Sequence, residues 1–153
     1  MNGDRAAMTV DATVPFRNAE AWVTSHLSRS DRLLVDNDVW MDLVDDGYHR
    51  NDVVWAWELD LDPEVRARFP GGWRQMDYVI ASAPIRANLR PDEYPQLFAA
   101  IRHSVQVARF QGQGSDWVAI YRVEPHYTGP APRWLPLPPS SSPSKRPTGG
   151  KLT

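Results

Sequence analysis

Between Phe16 and Leu27 the residues Ala19, Trp22, Val23, His26 and Leu27 recur at intervals of three and four. That spacing places them on one stripe of an amphipathic helix, predicted over about residues 16 to 28. Arg32 to Val35 is a short apolar run that reads as a strand. A second helix is expected to open near Asp38, with Val39, Trp40, Leu43 and Val44 facing inward and Asp38, Asp42, Asp45 and Asp46 outward or at the margin. Asp36 or Asn37 caps its free N–H groups, and Gly47 supplies the left-handed residue that closes it. Asp52 to Leu59, rich in β-branched and aromatic residues, predicts a second strand. Asp62 directly before Pro63 marks the start of a short helix to Arg68, which Phe69-Pro70-Gly71-Gly72 ends. Met76 to Ala81 is a third buried strand. Pro91 to Ser104 suits a helix with Tyr94, Leu97, Phe98 and Ile101 on one face. Val105 to Phe110 and Trp117 to Val123 alternate as the strands of a closing hairpin around the turn Gln111 to Ser115.

This order predicts a small three-layer α/β domain over residues 14 to 124, with a mainly parallel sheet, a C-terminal antiparallel hairpin and helices on both faces. Residues 1 to 13 read as a flexible N-terminal segment. Residues 125 to 153 hold most of the proline together with Ser, Gly and both lysines, and read as a disordered Pro/Ser-rich tail. Within that tail PRWLPLPP (132 to 139) has the composition of a segment that docks in an aromatic groove, although most proline-rich tails serve only as spacers. Ligands of such sheets bind beyond the carboxyl ends of the strands, and Asp36 to Asp38, Glu58 to Asp62 and Ser82 to Arg86 all fall there.

Composition narrows the chemistry. A chain of 153 residues with 42% hydrophobic side chains suits one domain, and a net charge of -2 supplies no basic field, so no nucleic-acid partner is expected. Lysine occurs only at Lys145 and Lys151, which removes any mechanism needing a lysine in the folded body. The absence of cysteine removes disulfides, thiol nucleophiles and thiolate zinc sites. The first thirty residues contain no signal-peptide run, and no stretch approaches the ~18 apolar residues of a membrane span, so a soluble chain is expected.

The five acids from Asp36 to Asp46 invite a metal or catalytic reading. A calcium loop fails in both registers: starting at Asp42 the third position is Val44 and the twelfth Val53, and starting at Asp36 the fifth is Trp40. Asp36-x-Asp38 after a strand, with Ser82 ending a later one, has the outline of a haloacid-dehalogenase-like phosphatase. That chemistry also needs a cation near the phosphate and a downstream acidic pair, whereas the acids after Ser82 are Asp92, Glu93, Asp116 and Glu124. The metal site of nucleotide-sugar glycosyltransferases shares the Asp-x-Asp pattern but sits in larger domains. Helix capping accounts for the cluster better. His26, His49, His103 and His126 share no ligand spacing, and Gly112-x-Gly114 is not a dinucleotide fingerprint, so neither a metal nor a cofactor is assigned. Of the seven tryptophans, Trp55 and Trp57 share one face of their predicted strand, so at least one should lie outside; exposed aromatics beside carboxylates are a common way to hold sugar rings.

Taken together, LLVDNDVWMDLVDDGY (33 to 48), VVWAWELDLDPEV (53 to 65), GWRQMDYVIAS (72 to 82) and HSVQVARFQGQGSDWVAIYRV (103 to 123) resemble the soluble C-terminal domain of actinobacterial polytopic membrane glycosyltransferases of family 39 type. These are relatives of protein mannosyltransferases that use polyprenyl-phosphate-linked sugars. The resemblance covers residues 16 to 123. In that family catalysis belongs to the membrane domain, so no catalytic residue carries over. The resemblance implies a non-catalytic accessory domain on the extracytoplasmic face that binds acceptor glycan or pairs with a membrane glycosyltransferase. The expected ligand surface is the strand-end rim of Asp36, Asp38, Trp40, Asp60, Asp62 and Arg86. The rival from another class is a small metal-dependent phosphatase or sugar-transfer enzyme using Asp36 and Asp38.

Overall fold

The computed structural model describes residues 14–114 and 116–136. In chain order they form α1 (Val14–His26), β1 (Leu33–Val35), α2 (Asn37–Asp45), β2 (Val53–Trp55), α3 (Glu58–Leu61), α4 (Pro63–Arg68), a 3-10 turn (Gly72–Gln75), β3 (Tyr78–Ala81), α5 (Ala83–Asn88), α6 (Pro95–Arg102), β4 (Ser104–Phe110) and β5 (Val118–Val123). The strands make one sheet in the order β2-β1-β3-β5-β4. β1 pairs in parallel with β2 and β3, and β5 lies antiparallel between β3 and β4. The α/β class, the mixed sheet and the closing hairpin agree with the sequence pattern.

Both faces of the sheet are apolar because helices cover both. On one side Leu33, Val35, Ile80 and Ile120 pack against Ala19 and Val23 of α1 and Val39 and Leu43 of α2. On the other, Leu34, Val54, Val79, Ala119 and Tyr121 meet Leu59, Val65, Ile85, Leu97 and Ile101 of α3 to α6. Asp36 caps α2 by accepting the Asn37 N–H at 2.6 Å. Gly47, at φ 107°, follows that helix in the backbone region that a side chain disfavours. Asp62 caps α4 through the Glu64 N–H at 2.9 Å, with Pro63 in the first turn.

The main differences from expectation lie in β2, α3, α5 and α6. β2 stops at Trp55 instead of reaching Leu59: the Ala56 N–H makes its last bond, to the Val35 carbonyl, where β1 ends, and the chain then turns into α3. α5 was not foreseen. It begins Ala83-Pro84, and the Ser82 hydroxyl that would cap it is drawn instead to Asp36. α6 begins at Pro95 and not at Pro91, because a helix running through both would drive the Pro95 ring against the carbonyl of residue 91.

A larger difference from expectation concerns residues 125 to 136. The folded body does not end at Glu124: residues 125 to 136 return across the α6 side of the sheet as a strap. Trp134 donates its indole N–H to the Tyr121 hydroxyl at 2.9 Å, and Leu135 is buried in the core. The Tyr127 carbonyl accepts from His103 Nδ1 at 2.9 Å and the Gly129 carbonyl from Arg102 at 3.0 Å. A proline-rich segment has few N–H groups to satisfy, so carbonyl acceptors and two apolar anchors suffice to dock it. Of the segment PRWLPLPP, residues 132 to 136 thus lie against the folded body. The segments 1 to 13 and 137 to 153 lie outside the described residues. No helix among the described residues is long and apolar enough to cross a membrane.

Candidate functional site

The strand order reverses at β1, with β2 on one side and β3 on the other, which makes the β1/β3 carboxyl ends the switch point of the sheet. Here Ser82, fully buried, donates its hydroxyl to Asp36 Oδ2 at 2.6 Å. Both Asp36 oxygens are therefore engaged, one capping α2 and one tying β1 to β3. Asp36→Ala would strand the buried hydroxyl and is expected to cost about 1 kcal/mol. Ser82→Ala, which leaves the cap on α2 in place, should cost less, and the double variant about as much as Asp36→Ala alone, as urea unfolding would register. Strictly additive losses would show that the two do not act as a pair.

The other rim residues are distributed as follows. Asp60 turns away from the strand ends: Oδ1 and Oδ2 accept the Gln96 and Leu97 N–H groups at 2.8 and 3.1 Å, so α3 caps α6, whose own N-cap Tyr94 offers no side-chain bond. Burial raises its carboxyl above the ordinary range, and the two N–H donors oppose that rise. Asp62 is occupied in capping α4. Arg86 donates to the Trp117 carbonyl at 2.6 Å and stacks 3.4 Å from that ring's centre, with Arg109 also approaching it at 4.0 Å. Burial lowers the Arg86 pKa, and its work is to hold α5 to the start of β5. Trp40 donates its indole N–H to the Val53 carbonyl at 2.6 Å. Asp52 C=O and Ala56 N–H point to β1, so that carbonyl points away from the sheet, and Trp40 closes it off on the edge strand.

Three hollows lie around these elements. The first, of about 570 Å³ at the switch point, is walled by Phe16, Pro84, Arg17 and the carboxyl groups of Glu20, Asp38, Asp42 and Asp116. The second, of about 330 Å³, follows the β2 edge and includes Trp40, Asn51, Trp55, Glu58, Asp62 and Arg68. The third, of about 370 Å³, lies beside the carboxyl end of β2, between α3 and the α5–α6 loop. Asp38 lines the first, and Trp40 and Asp62 the second, so none of the three gathers the six rim residues together.

The third hollow is aromatic. Trp57 packs tilted on Tyr94 with ring centres 4.5 Å apart, Trp55 is 38% exposed and Leu61 60% exposed. Around these apolar surfaces stand Glu58, Asn88, Arg90 and Glu93, with Arg90 bound to Glu93 at 2.9 Å. Burial first, and then the charge of Asp62, raises the Glu58 carboxyl, while Arg68 opposes. The expectation that at least one of Trp55 and Trp57 lies outside holds for Trp55. Their pairing on one strand face does not, because Trp57 lies past the strand end and turns onto Tyr94. That turn is what assembles the hollow, and the sequence offered no sign of Tyr94, Asn88 or Glu93 as its walls.

Among the described residues no group of three or more His, Asp or Glu side chains is placed to hold a metal ion. Compared with protein-family models, curated proteins and solved structures, the chain finds no match.

Proposed function

We propose that this chain is a non-catalytic carbohydrate-binding domain, similar in role to the extracytoplasmic C-terminal part of a polyprenyl-phosphate-sugar-dependent membrane glycosyltransferase, and that its ligand occupies the aromatic hollow beside β2. The observation that carries the reading is the exposure of Trp55 and Leu61 next to the Trp57–Tyr94 pair, ringed by Glu58, Asn88 and Glu93. Large apolar side chains left at the surface together mark a contact surface, since their burial would otherwise stabilise the fold. A sugar ring presents an apolar C–H face to an indole and hydroxyls to carboxylates and amides, and the hollow offers both. The switch-point groove, walled by Phe16 and Pro84 with Arg17 and four carboxyl groups, presents no indole face to a sugar ring. The engagement of both Asp36 oxygens in holding α2 and Ser82 favours binding over a phosphatase role for that residue.

A panel of neutral sugars titrated into the ¹⁵N-labelled chain should shift the Trp55 and Trp57 indole signals. Trp55→Ala should weaken binding by roughly tenfold, or about 1.4 kcal/mol, with the fold intact. If millimolar sugars move no resonance around the hollow, the carbohydrate reading is wrong.

A further inference from the structure

The β2-edge groove and the aromatic hollow share two walls, Trp55 and Glu58. We infer that they form one trough divided by the Trp55 ring, and that its ligand is a neutral oligosaccharide of several units that crosses this ring. The inference rests on the carbohydrate reading and extends it to the length and charge of the ligand.

Each hollow taken singly is near the lower end of small-molecule sites, about 300 Å³. Joined, they run from Tyr94 across the end of β2 and along its edge to Asn51 and Arg50. The two halves differ in chemistry. The Tyr94 half offers ring faces, whereas the edge half offers amide and guanidinium donors from Asn51 and Arg68 beside the Trp40 ring. Trp40 has already spent its N–H on Val53, and the Arg50 guanidinium lies over its ring, 5.6 Å from the centre.

Charge in the edge half is mixed, with Arg50 and Arg68 facing Glu58, Asp62 and Glu64. That balance favours a neutral chain over a polyanion. An extended peptide is disfavoured on separate grounds: strand addition to β2 would need the outward Val53 carbonyl, and the Trp40 indole holds it.

The test is calorimetric and NMR titration of the full chain with neutral oligosaccharides graded from single sugars to long oligomers, in gluco, manno, galacto and arabino series. Affinity is expected to rise by roughly tenfold or more between single sugars and oligomers of several units. Asn51→Ala and Arg68→Ala, both at exposed positions of the edge half, should weaken the long oligomers several-fold and leave short ones unchanged; Trp55→Ala should weaken all. Affinity that reaches its plateau at one or two units, with shifts confined to the Tyr94 side, would overturn the trough while leaving the carbohydrate reading intact. Absence of binding by every sugar would overturn both, and an extended peptide that shifts the β2 edge where sugars do not would replace them.

Discussion

Ending the chain at Glu124 is expected to lower its melting temperature by roughly 10 °C or more, or to leave it unfolded. The strap from Pro125 to Pro136 adds apolar cover over β5 beside that of α6. Without it Tyr121 loses the Trp134 indole that meets its hydroxyl, and the core loses Leu135. Leu135→Ala alone removes a buried side chain that is 8% exposed and should cost about 2–3 kcal/mol. Trp134→Phe keeps most of the ring contact and removes the hydrogen bond, at about 1 kcal/mol. Thermal unfolding followed by circular dichroism would rank the three. A chain stopped at Glu124 that melts within a degree or two of the intact one would show that the strap is an ornament of the fold and not part of it.

Raising the pH from about 4.5 to 8 should destabilise the protein, through Glu20. On α1 its carboxyl is pushed from the ordinary 4.5 up to about 8, first by burial and then by the hydrogen bond and negative charge of Asp42 and the charge of Asp46, with Arg17 opposing. A carboxyl with a raised folded pKa binds its proton more tightly in the native state than in the unfolded chain. Its contribution is complete below pH 4.5, declines as pH climbs, and is gone above about 8. In full, such a rise corresponds to roughly 5 kcal/mol. Because the side chain is only half-buried, screening by water reduces the expected loss to about 2 kcal/mol. Glu20→Gln mimics the protonated form and should equal the parent near pH 4 and exceed its stability at pH 8. Carboxyl NMR reads the cause directly: a Glu20 midpoint near 4.5 would remove the explanation.

The architecture was legible in the chain to the extent that it depends on neighbours in sequence. The three-and-four spacing of Ala19, Val23 and Leu27 places α1, Asp62-Pro63 starts α4 at the expected residue, and Asp36 caps α2 as its position before an amphipathic run requires. The candidate site was far less legible. Asp60 looks the same in sequence as any acid after a strand, yet its partners lie 36 and 37 residues away, and Asp36 meets Ser82 across 46. The packing of residues 125 to 136 was not legible for a related reason, because composition reports the core a segment can build by itself and not the surface it can cover.

Sequence by itself determined the α/β class, the placement of most helices and strands, and the residues that start and stop several of them, because periodicity and capping are set within a few residues of backbone. Tertiary structure alone decided where β2 ends, that Trp55 stays at the surface while Trp57 folds onto Tyr94, which carboxylates are taken up as helix caps, and that Trp134 and Leu135 close the far side of the sheet. Those outcomes depend on which distant side chains arrive to satisfy a donor or cover an apolar face, and no local pattern carries that information.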